Sequence, residues 1–90
     1  MYTLETTPQF DSDISALDAL VALRVLKKVK WLRQNPEVLR FGLKHMPGDL
    51  RGLQKYQIGD YRVLLWVDHR AQIITLYGVE HRRSVYRRLK

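Results

Sequence analysis

The C-terminal segment carries the densest group of side chains able to act on an anionic substrate. A guanidinium group binds phosphate in a bidentate manner, an imidazole titrates near neutral pH, and a tyrosine ring can stack on a nucleobase. This segment is either a solvated end of the chain or a site for something negatively charged. Its chemistry-bearing residues are His81, Arg82, Arg83, Tyr86, Arg87 and Arg88.

Three further cations precede this segment. Arg62 lies in an apolar run typical of a strand, Lys55 lies in the run before it, and Arg51 lies close to Lys55 in sequence. If the two runs pair, Lys55 can sit across from Arg62, and crowding among cations lowers the pKa of a lysine enough to make it a usable base. The structural alternative is an ordinary salt bridge between Arg62 and an acidic residue at the sheet edge.

These residue types can cleave RNA without a metal. The 2′-hydroxyl attacks the adjacent phosphate while a base takes its proton, cations stabilise the phosphorane, and an acid protonates the leaving oxygen. Arg62, with Arg82 or Arg83, is expected to neutralise the phosphate, and Arg51, Arg87 and Arg88 to bind RNA. His81 is the first choice for proton transfer, with Lys55 as the other candidate. Tyr86 would stack on a base, orient the 2′-hydroxyl or simply cap the core.

Neither a metal nor a cofactor is expected. The three histidines, His45, His69 and His81, are far apart in sequence and have no acidic residues at ligand spacing. Cysteine is absent, which excludes disulfides and thiolate metal sites and favours a reducing cytoplasm. The N-terminus does not resemble a signal peptide, and no apolar run approaches the length of a membrane span.

Length and charge describe one small basic domain. The 90 residues are 46% hydrophobic, so residues 1–90 should form a single folded unit whose site and scaffold share residues. The net charge of +7 favours a polyanionic partner such as nucleic acid or an acidic protein.

Three strands are predicted in the second half of the chain. Residues 50–58 lead into Gly59-Asp60, a turn dipeptide that would close a hairpin onto residues 61–67. A loop at residues 68–71 then joins residues 73–79. Alternation puts Tyr61 and Val63 on one face of the sheet and Arg62 and Trp66 on the other, which predicts a half-apolar, half-cationic working surface.

A short strand and two helices are predicted before them. Thr7-Pro8 begins the first helix, with Asp11 and Asp13 assigned to its first turn. Asp18 would cap a second helix that ends at Asn35-Pro36. Its apolar face is predicted to contain Ala22, Val25, Leu26, Val29 and Leu32, and its lysine-rich face is either solvated or in contact with nucleic acid.

The predicted fold is α+β: an N-terminal strand and a two-helix hairpin packed on one face of a small antiparallel sheet, in the order β-α-α-β-β-β. The basic tail is long enough to form one helical turn. Residues 36–49 are expected to be a turn, with or without one helical turn, that leads into the sheet, and both tryptophans, Trp31 and Trp66, are expected in the core.

Two short motifs resemble those of the RelE/ParE superfamily of bacterial toxins, and the RelE branch most of all. The motifs are Gly59-Asp60-Tyr61-Arg62-Val63 and, about twenty residues later, His81-Arg82-Arg83-Ser84-Val85-Tyr86. The order of elements matches over nearly the whole chain. The resemblance implies two helices on a small antiparallel sheet, ribosome-dependent cleavage of messenger RNA in the decoding site, and inhibition by an acidic antitoxin.

The resemblance also implies which residues act. Arginines and lysines on the central strands and a C-terminal tyrosine serve catalysis in that family, with histidine or glutamate contributing in some branches. This chain departs from relatives that carry two lysines on the strand before the hairpin, because Leu53 stands where one of them would be. That difference favours His81 over Lys55 for proton transfer.

Two other functions fit the same residues. A ParE-like poison of DNA gyrase would keep the fold but would not need His81 and Tyr86. A non-enzymatic basic module would bind nucleic acid or an acidic protein by charge alone, and its affinity would fall steeply with salt.

Overall fold

A computed structural model describes residues 1–39 and 53–81. The first strand, β1 (Thr3–Thr6), leads into helix α1 (Pro8–Ala16) and helix α2 (Ala19–Gln34). A 3-10 turn covers Pro36–Leu39. The strands β2 (Gln54–Ile58), β3 (Tyr61–Asp68) and β4 (Ile73–His81) complete the described chain. The predicted order of elements is therefore confirmed.

The helices begin where the sequence predicts. The Thr7 hydroxyl accepts a hydrogen bond from the Phe10 backbone N–H at 3.1 Å, with Pro8 in the first turn. A carboxylate oxygen of Asp18 accepts from the Leu20 N–H at 3.1 Å, and α2 ends at Gln34, before Asn35 and Pro36.

The sheet has four strands in the order β1-β4-β3-β2. The β2–β3 and β3–β4 pairs are antiparallel, as predicted, but β1 pairs with β4 in parallel, so the sheet is mixed rather than wholly antiparallel. Gly59 closes the β2–β3 turn with a φ of 61°, a conformation that suits glycine. In the β3–β4 loop, one carboxylate oxygen of Asp68 accepts from the N–H groups of Arg70 and Ala71.

Both helices cover the same face of the sheet, which confirms the predicted layering. Side chains from α1, α2, the 3-10 turn and the three later strands meet in one buried cluster. We call this side of the sheet the helix face. The cluster consists of Phe10, Val25, Val29, Leu32, Leu39, Ile58, Val63, Leu65, Ile74, Leu76 and Val79.

Beyond the end of β1, the side chains of Thr7 and Asp13 form hydrogen bonds with the backbone of β4. The last β1–β4 pair is Thr6 with Leu76. Beyond it, the Thr7 hydroxyl donates to the Tyr77 carbonyl at 2.8 Å, and an Asp13 carboxylate oxygen accepts from the Val79 N–H at 2.9 Å. Asp13 was predicted in the first turn of α1, but only Asp11 lies there. Asp13 instead accepts a hydrogen bond from a β4 backbone N–H that β1 is too short to reach.

The predicted apolar face of α2 is partly wrong. Val25, Val29 and Leu32 are buried, but the Leu26 side chain is 36% exposed. Trp31 was expected in the core and is 40% exposed. Within the described part of the chain, no helix is long and apolar enough to cross a membrane.

Candidate active site

The candidate site lies on the sheet face opposite the helices, which we call the open face. The β2–β3 register pairs Lys55 with Leu64 and Gln57 with Arg62. Val63 and Leu65 belong to the helix-face core, so the side chains of Arg62, Leu64 and Lys55 project to the other side. The structure therefore places Lys55 and Arg62 on one face, although the residue directly across from Arg62 is Gln57 and not Lys55, the residue that the sequence suggested for that position.

Lys55 and Arg62 are diagonal neighbours across the β2–β3 pair. Such positions are separated by about 7 to 8 Å between Cα atoms, within reach of two long cationic side chains. Both residues are half-buried. Two cations held this close can contact one phosphate group between them, with the guanidinium supplying paired donors.

A β-bulge in β4 determines which β4 side chain lies next to Arg62. Leu65 pairs with Leu76 but Leu64 pairs with Gly78, so Tyr77 is an extra residue in β4. This β-bulge shifts the register by one residue for the rest of the pair. Beyond it, Arg62 pairs with Glu80 and Tyr61 pairs with His81.

The bulge brings Glu80 to the open face. Directly opposed residues in an antiparallel pair have Cβ atoms about 4.5 to 5.5 Å apart, so the side chains of Glu80 and Arg62 leave the backbone side by side on the same face. Glu80 is half-buried. Sequence analysis missed this residue, because a regular ladder counted from the β3–β4 loop would pair Arg62 with Val79 instead.

The same shift separates His81 from the two cations. Its ring packs edge-on against Tyr61, with ring centroids 5.3 Å apart and planes at 85°. Tyr61 packs against the helix-face cluster. The structure therefore brings Lys55 and Arg62 together and places His81 at the end of β4, on the side of the sheet opposite them. A role for His81 in proton transfer stays a prediction.

An aromatic pair lies farther along the open face. Trp66 contacts Tyr77 edge-to-face, with centroids 5.1 Å apart and planes at 78°. Trp66 is four residues from Arg62 in β3, or about 13 Å along the strand. It is half-buried rather than fully in the core. Tyr77 was not singled out from the sequence.

Apolar residues surround the charged groups. Leu64 and Leu53 are at most 2% exposed, yet neither belongs to the helix-face cluster. The open face thus has apolar side chains beside Lys55, Arg62 and Glu80, whereas the sequence predicted a half-apolar, half-cationic surface without an acidic residue. The remaining predicted site residues lie outside the described part of the chain: Arg51, Arg82, Arg83, Tyr86, Arg87 and Arg88. His45 and the one helical turn predicted for the tail lie outside it too.

His69 lies in the β3–β4 loop and does not join the candidate site. It is exposed, and its Nδ1 is 2.8 Å from the Tyr2 hydroxyl. Among residues 1–39 and 53–81, no group of three or more His, Asp or Glu side chains is arranged to hold a metal ion.

The chain has the fold of RelE toxins. No family model matches the sequence, and no curated protein matches it significantly. A RelB–RelE toxin–antitoxin complex from Mycobacterium tuberculosis contains a chain that matches with a TM-score of 0.76 and 22% identity, over 89% of this chain and 96% of that one. The isolated RelE toxin of E. coli matches with a TM-score of 0.72 and 18% identity, over 99% of this chain and 100% of that one.

A third match extends the fold to the archaea. The RelB–RelE complex of Methanococcus jannaschii has a TM-score of 0.67 and 18% identity, over 96% of this chain and 99% of that one. The described elements of this chain are therefore arranged as in toxins that are found free and in complex with antitoxins.

Proposed function

We propose that this protein is the toxin of a toxin–antitoxin pair and cleaves messenger RNA on the ribosome, in the cytoplasm, without a metal. The observation that carries the proposal is the clustering of Lys55, Arg62 and Glu80 on the open face of a RelE fold. Its proposed partners are the ribosome, the message and an acidic antitoxin, and the net charge of +7 suits all three.

Phosphate binding is assigned to Arg62 and Lys55. As the 2′-hydroxyl attacks, negative charge accumulates on the phosphoryl oxygens, and two fixed cations stabilise that charge more than they stabilise the substrate. The predicted tail cations, Arg82 or Arg83, add further positive charge in this proposal. Trp66 with Tyr77, or the predicted Tyr86, offers a ring on which a base can stack.

Proton abstraction is assigned to Glu80, with His81 as the alternative. The Glu80 carboxylate shares the face on which the phosphate would bind, whereas the His81 ring packs on Tyr61. A general base must lie within hydrogen-bond reach of the proton that it takes, so the position of Glu80 favours it over His81. Glu80 also holds the Arg62 guanidinium in place before substrate arrives.

The test compares Arg62→Ala with Arg70→Ala, which removes an exposed cation from the β3–β4 loop. Purified protein is mixed with ribosomes and message, and new 5′ ends are mapped by primer extension. We expect Arg62→Ala to lower the cleavage rate about 10²- to 10³-fold, as loss of a transition-state charge contact does, and Arg70→Ala to leave it unchanged. Absence of new 5′ ends with wild-type protein would refute the proposal.

A gyrase poison is the second candidate, and the position of His81 favours it. His81 and Tyr86 together were the sequence argument against that function, and the packing of the His81 ring on Tyr61 weakens the part that rests on the imidazole. A DNA supercoiling assay separates the two functions. Inhibited supercoiling without message cleavage would replace the ribonuclease proposal.

A further inference from the structure

Beyond its last pairing with β1, the outer edge of β4 is bonded to α1 rather than to a strand. The β1–β4 pairing ends one residue before the bulge at Tyr77. The hydroxyl of Thr7, the residue that caps α1, donates to the Tyr77 carbonyl at 2.8 Å. Asp13 Oδ2 accepts from the Val79 N–H at 2.9 Å. Because Val79 precedes Glu80, these two hydrogen bonds lie between the regular part of β4 and the candidate site.

The Asp13 carboxylate is held by hydrogen bonds on both of its oxygens. Oδ1 accepts from Nε2 of Gln9, one turn earlier in α1, at 2.7 Å, while Oδ2 accepts from the Val79 N–H. Hydrogen bonds to an ionised carboxylate are roughly twice as strong as those between neutral groups. The carboxylate also lies directly against the β4 backbone, since a Cβ atom at Gly78 would be 2.8 Å from Oδ2. Asp13 therefore fixes the position of Val79 relative to α1.

The position of Val79 determines which side chain of β4 reaches the open face. In the bulged register, Arg62 pairs with Glu80. A ladder without the bulge would pair Arg62 with Val79 and turn Glu80 to the helix face. Burial of Val79, which is 5% exposed, favours the bulged register as well. A bulge leaves one residue of its strand unpaired, so contacts from outside the ladder help to hold it in place.

We propose that Asp13 is a positioning residue of the candidate site: its hydrogen bond to the Val79 N–H holds the end of β4 in the bulged register and keeps Glu80 next to Arg62. Asp13 belongs to the helix layer, on the side of the sheet opposite the open face, so it acts through the backbone and not on the phosphate. A misplacement of about 1 Å can lower a rate about 10²-fold. The effect on cleavage rests on the proposed function, whereas the effect on the register does not.

Four variants separate the hydrogen bond from the charge and from the helix. Asp13→Ala removes the acceptor. Asp13→Asn keeps a carbonyl oxygen for the Val79 N–H but removes the negative charge, and the Gln9 amide can turn to accept from the new NH₂ group. Gln9→Ala keeps the acceptor and frees its rotation. Asp11→Ala removes an exposed carboxylate from the first turn of the same helix and is the matched control.

The register is measured by NMR, without reference to activity. In the wild type we expect cross-strand NOEs between Arg62 and Glu80 and slow hydrogen exchange of the Val79 amide. Asp13→Ala should weaken those NOEs and speed the exchange about tenfold or more, because a buried N–H loses a charged acceptor. Gln9→Ala should change both in the same direction by a smaller factor, and it tests the proposal even if Asp13→Ala does not fold. Asp13→Asn and Asp11→Ala should resemble the wild type.

Single-turnover cleavage of message on ribosomes measures the consequence for the site. Asp13→Ala should lower the maximal rate about tenfold or more while the half-saturating ribosome concentration changes little, since no substrate contact is lost. Asp13→Asn should restore the rate to within about threefold. Adding Glu80→Gln to Asp13→Ala should cost less than it does in the wild type, because a base that is already displaced cannot be lost twice.

Several results would overturn the proposal: unchanged NOEs and Val79 exchange in both Asp13→Ala and Gln9→Ala, equal effects of Asp11→Ala and Asp13→Ala, failure of Asp13→Asn to restore the rate, or multiplicative losses in the double variant. If the wild type cleaves no message, the ribonuclease proposal fails by itself. The NMR measurements then still decide whether Asp13 sets the register of β4.

Discussion

Glu80 and His81 are neighbours in sequence but project to opposite faces, and this difference can be tested one residue at a time. Glu80→Gln removes the proposed base and should lower the cleavage rate about 10²- to 10⁴-fold. His81→Phe keeps an aromatic ring against Tyr61 and should cost less than about tenfold, since no general base is lost. The measurement is single-turnover cleavage on ribosomes. The reverse ranking would return proton transfer to His81.

Gly78 is required because α1 lies so close to β4. A Cβ atom at this position would be 2.8 Å from an Asp13 carboxylate oxygen. We expect Gly78→Ala to lower the free energy of unfolding by about 1 to 3 kcal/mol, the usual cost of overpacking. Urea unfolding of the variant and of the wild type measures this loss of free energy.

Asp13→Ala provides the matched control for that steric explanation. Alone it should cost about 1 to 3 kcal/mol, because it leaves the buried Val79 N–H without its acceptor. In the Asp13→Ala background the clash is gone, so adding Gly78→Ala should cost clearly less than it does in the wild type. Additive costs would show that the Asp13 carboxylate is not the reason for the glycine.

At the scale of an element, α2 has one row that stabilises the fold and another that does not. Leu32 is fully buried, and Leu32→Ala should lower the free energy of unfolding by about 2 to 5 kcal/mol. Leu20 is 77% exposed, and Leu20→Gln should change the free energy of unfolding by no more than about 0.5 kcal/mol. Thermal unfolding of the two variants checks the contrast. A large loss in Leu20→Gln would mean that this exposed side chain also stabilises the fold.

The elements were predictable where local chemistry decides them. Thr7 and Asp18 begin helices because their side chains accept from exposed N–H groups, and Gly59 marks a turn that needs a positive φ. The site was less predictable. Alternation assigned Arg62 and Trp66 to the face opposite Val63, but the bulge at Tyr77 changes the register of β4, and no local signal in the sequence predicts it.

At the scale of the whole molecule, the net positive charge should contribute to RNA affinity over the whole surface, whereas cleavage should depend on a few residues of the candidate site. The affinity for single-stranded RNA should fall with salt, with a slope near −0.7 for each phosphate contacted. Arg62→Ala should reduce that slope by about 0.7 and lower the cleavage rate about 10²- to 10³-fold, while Lys30→Ala, on the exposed side of α2, should do neither. Titrations at several salt concentrations test this. Equal effects of both substitutions would favour a plain electrostatic binder.

The parallel pairing of β1 with β4 also has a consequence for synthesis. Thr3 pairs with Ile73, so β1 is translated about 70 residues before β4, the strand with which it pairs. At about 5 to 20 residues per second, roughly 4 to 14 s pass between their translation. Throughout that interval the nascent chain has neither the edge contacts of α1 on β4 nor the Arg62–Glu80 pair. Under the proposed function, a growing polypeptide of this sequence is therefore unable to cleave message before β4 has been translated.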